Sequence, residues 1–214
     1  MKLFYKPGTC SLATHIILNE LEYQYELEKT DTGTSTTESG INYLSVNPNG
    51  YVPALQTDDG EVITENPAIL QYLADKAPEA GLAPPNGSFA RTRLQELLNF
   101  LSAELHKAYG PFFSNEPLDD SAASKASQKI ARRVTHLERR LSDGRAYLLG
   151  ADFGVADAYA FVVLNWSGTV GFDLGAFPKV SSFVERVRTR PSVVRAMIAE
   201  GLIAGENVEE RQAS

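Results

Sequence analysis

The first 80 residues alternate between strand-like and helix-like patterns of hydrophobic and polar positions. A short apolar run at 3–5 predicts a strand that ends before Pro7-Gly8. Apolar residues at helical spacing from 12 to 21 then predict a helix. Residues 23–29 alternate between apolar and polar side chains, which is typical of a half-buried strand. We therefore expect the chain to begin with a β-α-β unit.

Two more strand-like runs follow a polar stretch that contains a short helical pattern near 41–44. The runs at 52–57 and 61–64 flank Asp58-Asp59-Gly60, which is a strong hairpin signal. Asn66-Pro67 then predicts the start of a helix, with asparagine as the N-cap and proline at the first helical position. The resulting order, β-α-β-α-β-β-α, is that of a thioredoxin-like domain.

The rest of the chain has a helical pattern throughout. Apolar residues repeat at helical spacing from 94 to 105 and from 130 to 141, and residues 155–166 are apolar on nearly every side. That last segment predicts a buried central helix, and a stretch rich in proline and glycine at 76–87 indicates a linker. The expected fold class is α/β plus all-α, with a thioredoxin-like domain at 1–80, a C-terminal helical bundle at 88–202 and a polar tail at 203–214.

Composition restricts the classes of function. The 214-residue chain carries a formal net charge of −7, so sequence-independent binding of nucleic acid phosphates is not expected. A single cysteine excludes an intrachain disulfide. No signal peptide is recognisable before Pro7-Gly8, and no apolar stretch approaches the ~20 residues of a membrane span. We expect a cytoplasmic protein without a nucleic acid or membrane partner.

The single cysteine, Cys10, lies between the first predicted strand and the first predicted helix. Unpaired backbone N–H groups and the positive end of the helix dipole at that junction favour a thiolate, or any sulfur anion beside it. The alternative interpretation is a small buried side chain without a chemical role. The strand-to-helix junction favours the functional interpretation.

Two other segments can present backbone or charged groups to a ligand. Val52-Pro53 opens a predicted strand, and if its peptide bond is cis, the backbone of Val52 turns outward and can pair with an extended peptide. The helix that starts at Asn66 offers free N–H groups to a carboxylate, and Glu65 beside it can receive an ammonium group. Plain helix capping explains Asn66 and Pro67 but leaves Glu65 unexplained.

Six sequence blocks in a fixed order carry a family resemblance. They are MKLFYKPGTCSLATHI at the N-terminus, TESG at 37–40, NPNGYVPAL at 47–55, TENPAILQYLAD at 64–75, LNFLSAELHKAYGPFF at 98–113 and VADAYAF at 155–161. Together they resemble the beta class of bacterial cytosolic glutathione transferases, to about Leu202. The resemblance implies a homodimeric enzyme with glutathione as its co-substrate, a small apolar electrophile as its second substrate, and no metal.

The same resemblance implies which residues contact glutathione. Cys10 and His106 would be the catalytic residues at the glutathione sulfur, with Cys10 able to form a mixed disulfide. Val52 and a cis Pro53 would pair with the backbone of the tripeptide. Other glutathione-binding positions, partly supplied by the neighbouring subunit, would be Ser35, Glu65, Asn66, Asn99, Ala103, Glu104, Leu105 and Lys107.

Aromatic residues near the implied sulfur position are candidates for the electrophile pocket. They are Tyr109, Phe113 and Trp166, and ordinary core packing is the alternative for Phe113. His106 also has an alternative, as a helix-surface histidine without a chemical role. A functional imidazole beside the sulfur would stabilise a thiolate or relay a proton near neutral pH.

The chain departs from the family pattern at three positions. Relatives commonly carry lysine near position 35 and at position 49, where this chain has Ser35 and Asn49. The loss of these cations should weaken glutathione binding unless Lys107 or another residue substitutes. Gly154 stands where the family usually has serine or threonine as an N-cap, while Asp157 keeps the other half of the capping box. This last departure concerns folding more than function.

Three functions fit these residues. The first is conjugation of reduced glutathione to small electrophilic compounds, with the pKa of the bound thiol lowered by the enzyme. The second is glutathione-dependent thiol-disulfide exchange or peroxide reduction through Cys10, with glutathione as the resolving thiol. The third is a binding or regulatory protein without catalysis, because a fold alone does not fix a function. The intact Cys10, Val52-Pro53, Glu65 and His106 favour an enzyme.

Overall fold

The N-terminal part of the chain forms a mixed β-sheet. In this computed structural model, which describes residues 1–114 and 116–205, the strand order is β3-β2-β1-β4-β5. The strands are β1 (Lys2–Tyr5), β2 (Glu26–Asp31), β3 (Thr36–Thr37), β4 (Ala54–Gln56) and β5 (Val62–Thr64). β1 runs parallel to β2 and antiparallel to β4, with Leu3 opposite both Leu27 and Leu55. Helices α1 (Ser11–Glu20) and α2 (Asn66–Lys76) pack against this sheet.

The predicted element order is confirmed except between β2 and β4. The helix expected near 41–44 is only a 3₁₀ turn at Tyr43–Ser45, started by the Asn42 side chain, which accepts the Leu44 N–H at 3.1 Å. Within that turn only Tyr43 is buried, so no apolar stripe supports a longer helix. The two-residue strand β3 is too short to carry an alternating pattern that would predict it.

The C-terminal part is helical, as its pattern predicts, and α6 is the buried central helix. Its elements are α3 (Phe89–Phe100), a π-helical stretch (Leu101–His106), α4 (Lys107–Tyr109), a 3₁₀ turn (Gly110–Phe113), α5 (Asp120–Arg140), α6 (Val155–Val170), α7 (Pro178–Arg188) and α8 (Pro191–Ala199). Within the described residues, no helix is both long and apolar enough to cross a membrane. Most of the polar tail predicted at 203–214 lies outside the described residues.

Helix α1 is enclosed by both parts of the chain. It packs on β1 and α2 and, on its other side, on α6 and α8. Every residue of 11–18 is buried, including the polar Thr14 and His15. His15 Nδ1 lies 2.9 Å from a carboxylate oxygen of the buried Glu200, which follows α8. A continuous apolar core from Leu3 to Met197 therefore fixes the start of α1, and with it Cys10, relative to the C-terminal helices.

The backbone near the start of α6 explains the glycine at position 154. The Val155 N–H donates to the Leu82 carbonyl at 3.0 Å, and a β-carbon on Gly154 would lie 2.8 Å from that same oxygen. The Asp157 carboxylate accepts the N–H groups of Gly154 at 2.9 Å and of Leu148 at 2.8 Å. Burial raises the pKa of Asp157 to about 7. A serine or threonine cap at this position would collide with the segment that joins the two parts.

Candidate functional site

A cavity with a volume of ≈ 380 Å³ opens between the two parts of the chain. Its sheet-side wall, from the N-terminal part, consists of Cys10, Tyr51, Val52, Pro53, Glu65, Asn66 and Pro67. Its helix-side wall, from the C-terminal part, consists of Ser102, His106, Lys107 and Tyr159. The fold therefore gathers in one place seven of the predicted site residues, from four distant segments: Cys10, Val52-Pro53, Glu65-Asn66 and His106-Lys107.

Cys10 precedes α1 and reaches the cavity as a neutral thiol. Its Sγ donates a hydrogen bond to the Val52 carbonyl oxygen at 3.3 Å. Burial raises the pKa of this thiol to about 12, although the N–H groups of Cys10 and Ser11 act in the opposite direction. The expectation that the helix N-terminus favours a thiolate on Cys10 is therefore wrong, because desolvation outweighs the helix dipole.

The peptide bond between Val52 and Pro53 is cis, as the family resemblance implied. The segment before it is held by two donors to the Tyr51 carbonyl, the Tyr43 hydroxyl at 2.9 Å and the Asn47 amide at 2.6 Å. Among the described residues, no protein group accepts the Val52 N–H. That N–H is free to pair with the backbone of an extended ligand.

Glu65 stands at the cavity in an unusual backbone conformation. Its φ of 66° lies in the left-handed region, which non-glycine residues seldom adopt and which is found at functional sites. The exposed carboxylate accepts a hydrogen bond from the Tyr51 hydroxyl at 2.6 Å. The Glu65 carbonyl already accepts the N–H groups of Ala68 and Ile69. A carboxylate at the mouth of a cavity can receive a ligand ammonium group.

Asn66 is the first residue of α2 and not its N-cap, which is Glu65. The predicted cap is wrong because the asparagine side chain points into the protein. Its amide nitrogen donates to the Cys10 carbonyl at 2.9 Å, and its amide oxygen accepts the Thr14 hydroxyl at 2.8 Å. Asn66 therefore ties α2 to the start of α1, and within the described chain its backbone N–H has no protein acceptor.

A π-helical stretch builds most of the helix-side wall. Leu101–His106 continues α3 with i to i+5 hydrogen bonding, a feature that is frequent at functional sites. Ser102, His106 and the following Lys107 line the cavity. Leu105, by contrast, is fully buried in the core, so its side chain contacts no ligand in this cavity.

His106 is a neutral imidazole at neutral pH. Burial, assisted by the charge of Lys107, lowers its pKa to about 4. Its Nδ1 lies 2.9 Å from the Tyr159 hydroxyl, and its ring packs edge-on against Trp166 with a centroid separation of 4.8 Å. The expected proton relay near pH 7 does not agree with this pKa. A neutral imidazole can still stabilise a thiolate by donating a hydrogen bond.

The three predicted electrophile-pocket residues form one aromatic cluster beside His106. Trp166 packs edge-on against Tyr109 and Phe113 and donates its indole N–H to the Gly8 carbonyl at 2.8 Å. Phe113 is half exposed, Trp166 is nearly buried and Tyr109 is fully buried, with its hydroxyl 2.7 Å from Ser167 Oγ. Only Phe113 offers an open aromatic surface, and Tyr109 supports the cluster from the core.

The other predicted positions lie away from the cavity of their own chain. Ser35 sits in the turn between β2 and β3 with a φ of 54°. Asn99 and Ala103 are exposed, and the Glu104 carboxylate pairs with Arg133 at 2.6 Å. Among the described residues, no group of His, Cys, Asp and Glu side chains could hold a metal ion.

Four cavity residues were missed at the sequence level, and for one of them, Pro67, the sequence predicted only a helix-capping role. Tyr51 and Tyr159 stand inside two of the blocks that carry the resemblance, NPNGYVPAL and VADAYAF, so those blocks contained a signal for them. Nothing in the pattern distinguishes Ser102, because its position at the cavity depends on the π-helical stretch.

Comparisons with known proteins agree with this geometry. Residues 8–76 match the family model of the glutathione S-transferase N-terminal domain, and residues 100–191 match that of the C-terminal domain. The chain is 40% identical over 202 residues to the glutathione S-transferase GstA of Escherichia coli O157:H7, covering 94% of this chain and 100% of the relative.

Two solved structures extend the comparison. A beta-class glutathione S-transferase of Sphingomonas chungbukensis is 45% identical, with a TM-score of 0.91 over 95% of this chain and 100% of that one. A sphingomonad glutathione S-transferase in complex with glutathione is 44% identical, with a TM-score of 0.90 over the same shares. The chain belongs to the glutathione S-transferase family. The predicted fold, family and enzyme class are confirmed.

Proposed function

We propose that the cavity binds reduced glutathione and that the protein conjugates it to small electrophilic compounds. The observation that carries this proposal is the convergence of a free Val52 N–H, the Glu65 carboxylate and the Cys10 and His106 side chains on one cavity. These groups are complementary to a tripeptide thiol with an ammonium group at one end and a sulfur in its middle.

The binding mode follows from the groups that are free. The γ-glutamyl ammonium pairs with Glu65, and the neighbouring carboxylate accepts the backbone N–H of Asn66 at the N-terminus of α2. The cysteinyl backbone pairs with Val52. Lys107, an exposed cation on the helix-side wall, takes the glycine carboxylate in place of the lysine missing near position 35. Ser35, which lies outside the cavity, makes at most a peripheral contribution.

The chemistry requires the sulfur of glutathione to be an anion. The single Cys10 S–H donates to the Val52 carbonyl, and in the complex with glutathione it would turn to the glutathione sulfur. There the neutral Cys10 thiol and the neutral His106 imidazole would both be hydrogen-bond donors, and donors held in a partly desolvated cavity lower the pKa of the thiol that they contact. The thiol proton is released to solvent at the cavity mouth. The thiolate then attacks the electrophilic carbon, and the leaving group departs with its electron pair. The electrophile lies on the side of His106 that carries Trp166 and Phe113.

The assembly and location follow the family. We propose a homodimer in the cytoplasm, in which the exposed Asn99, Ala103 and Glu104 of one chain approach the glutathione site of the other. We also propose a division of labour, with glutathione bound by the thioredoxin-like domain at 1–80 and the electrophile by the helical domain at 88–202. Light scattering coupled to size-exclusion chromatography measures the assembly directly, and a single-chain mass would contradict the homodimer.

Two measurements test the proposed function. Titration calorimetry with reduced glutathione is expected to show one site per chain, and oxidised or S-blocked analogues separate thiol recognition from peptide recognition. Conjugation to an activated aryl chloride is expected to saturate with glutathione concentration. A protein that neither binds glutathione nor turns over the aryl chloride would contradict the proposal.

The position of Cys10 on the cavity wall supports a second activity. In thiol-disulfide exchange, the Cys10 thiolate would attack a glutathionylated thiol, release that thiol and form a Cys10–glutathione disulfide. A second glutathione would then reduce this disulfide, leaving oxidised glutathione and a free Cys10. The raised pKa of Cys10 slows the first step, because little thiolate is present at neutral pH. Cys10→Ala should abolish this exchange, and unchanged exchange in that variant would exclude the mechanism.

A further inference from the structure

Tyr159 lines the cavity, and the proposed binding mode gives its hydroxyl no role. Tyr159 comes from the central helix α6, its side chain is 2% exposed, and it lines the cavity beside His106. Its ring meets the His106 ring edge-on at a centroid separation of 6.1 Å. In the described part of the chain, its hydroxyl has one hydrogen-bond partner, His106 Nδ1 at 2.9 Å.

Two proton arrangements satisfy that contact. In the first, the Tyr159 hydroxyl donates to an unprotonated Nδ1, and Nε2 carries the imidazole proton. In the second, Nδ1–H donates to the phenol oxygen. The second arrangement leaves the buried phenol proton without an acceptor among the described residues, and an unsatisfied buried donor costs free energy that the first arrangement avoids.

The surroundings of His106 also favour the first arrangement. Its Nε2 makes no protein hydrogen bond among the described residues and, unlike His15 Nε2, is not enclosed. Contact with Trp166 on the ring holds the imidazole in this orientation. Burial, with the negative charge of Glu65, raises the pKa of Tyr159, so the phenol keeps its proton as the donor.

We propose that Tyr159 is a positioning residue that donates its hydroxyl proton to His106 Nδ1 and so holds His106 in the Nε2–H tautomer, with that N–H presented to the sulfur of the substrate. His106 acts as a fixed hydrogen-bond donor to the thiolate and does not accept the thiol proton. The catalytic consequence rests on the proposed function, whereas the tautomer itself does not.

The tautomer is measured without any substrate. Nitrogen-15 NMR of the glutathione-free protein is expected to show His106 with an unprotonated Nδ1 and a protonated Nε2 at neutral pH, assigned with the His106→Asn variant. Tyr159→Phe keeps the ring and removes the donor, so both tautomers should then be populated. Tyr25→Phe is the matched control, because Tyr25 loses a hydroxyl bond to Asn19 away from the cavity. A protonated Nδ1 in the wild-type protein would overturn the proposal.

Kinetics test the consequence. Tyr159→Phe should lower kcat for conjugation by about fivefold to tenfold, as the loss of one hydrogen bond predicts, and leave KM for glutathione unchanged. In a His106→Asn background the same substitution should have no further effect. Additive losses in the double variant, or a change in KM alone, would contradict the positioning role. A wild-type protein without conjugation would refute the proposed function and leave the NMR result standing.

Discussion

The two walls of the cavity are built on different principles. The sheet-side wall presents backbone groups, a free N–H at Val52 and another at Asn66, together with the Glu65 carboxylate. Its polar side chains have hydrogen-bond partners within the protein: Tyr51 pairs with Glu65, and Cys10 donates to the Val52 carbonyl. The helix-side wall presents side chains, His106, Lys107 and Ser102, on a stretch of irregular helix.

This difference separates two tasks. Backbone groups and one carboxylate recognise a peptide with charged ends. This recognition depends little on which electrophile the peptide thiol attacks. Side chains near the sulfur position control its proton and shape the space for the electrophile. Substitutions on the sheet-side wall should therefore change mainly glutathione binding or stability, and substitution of His106 on the helix-side wall should change the rate of reaction. Lys107, the proposed partner of the glycine carboxylate, is the exception on the helix-side wall and should affect binding.

The largest effect is expected at Asn66, where the sheet-side wall is tied together. Asn66→Ala removes the side-chain donor to the Cys10 carbonyl, which keeps the Ala13 N–H, and leaves the buried Thr14 hydroxyl without its acceptor. It should lower the free energy of unfolding by about 3 kcal/mol. Urea denaturation measures this loss. Adding Thr14→Val should recover part of it, because the unpaired hydroxyl is then removed. A loss below about 0.5 kcal/mol would show that the Asn66 side-chain hydrogen bonds do not stabilise the fold.

Glu65 is expected to control binding of glutathione. Glu65→Gln removes the charge but keeps the shape. It should weaken glutathione binding by about 100-fold, because Glu65 is the one carboxylate that the described residues place on the cavity wall to face the ligand ammonium. Calorimetry measures the change, with Glu61→Gln on the exposed β4–β5 turn as control. Equal affinity for glutathione in Glu65→Gln and Glu61→Gln would show that Glu65 does not bind the ligand.

The lowered pKa of His106 makes stability depend on pH. Its pKa is about 4 in the folded protein against 6.5 for the unperturbed group, so the unfolded chain binds the proton more readily. The stability that comes from burying a neutral His106 is fully present above about pH 6.5. It is lost as the pH falls towards 4, because the unfolded chain then binds the proton. The wild-type protein should lose on the order of 2 kcal/mol more than His106→Asn over this range.

Urea denaturation at both ends of that pH range tests the dependence. His136→Asn, at an exposed histidine of α5, is the control and should behave as the wild type does. If His106→Asn and the wild-type protein lost equal stability on acidification, His106 would titrate alike in the folded and unfolded chains.

The smallest effect is expected for conjugation by Cys10→Ala. The neutral thiol contributes one hydrogen bond to the bound sulfur, so kcat/KM should fall by only about threefold. Steady-state assays with an activated aryl chloride measure this. A loss of a thousandfold would mean that Cys10 takes part covalently in conjugation.

The sequence predicted the fold better than it predicted the chemistry of the site. Hydrophobic periodicity and turn residues were sufficient for β1, α1, the β4–β5 hairpin and the buried α6, because each buries its own apolar face. Hydrophobic periodicity could not predict the charge states of Cys10 and His106. The pKa values of Cys10 and His106 depend on burial by residues from distant segments, and desolvation reversed the local expectation for Cys10.

The sequence also could not predict which individual residues of the 101–106 stretch face the cavity. Local signals at a proline and at a helix start singled out Val52-Pro53 and Glu65, whereas His106 was predicted only from the family resemblance. Leu105 and Ser102 are three residues apart, yet the π-helical stretch buries one and places the other at the cavity. A regular helix pattern contains no information about that rotation.

The central claim is that the cavity stabilises the thiolate of bound glutathione through neutral donors on both walls. The ultraviolet absorbance of that thiolate, titrated with pH at saturating protein, tests it most directly. We predict an apparent pKa for the bound thiol well below the ~8.5 of a free cysteine thiol, with a shift back upward in His106→Asn that exceeds the shift in Cys10→Ala. A bound thiol that titrates with the pKa of free glutathione in the wild-type protein would contradict the account.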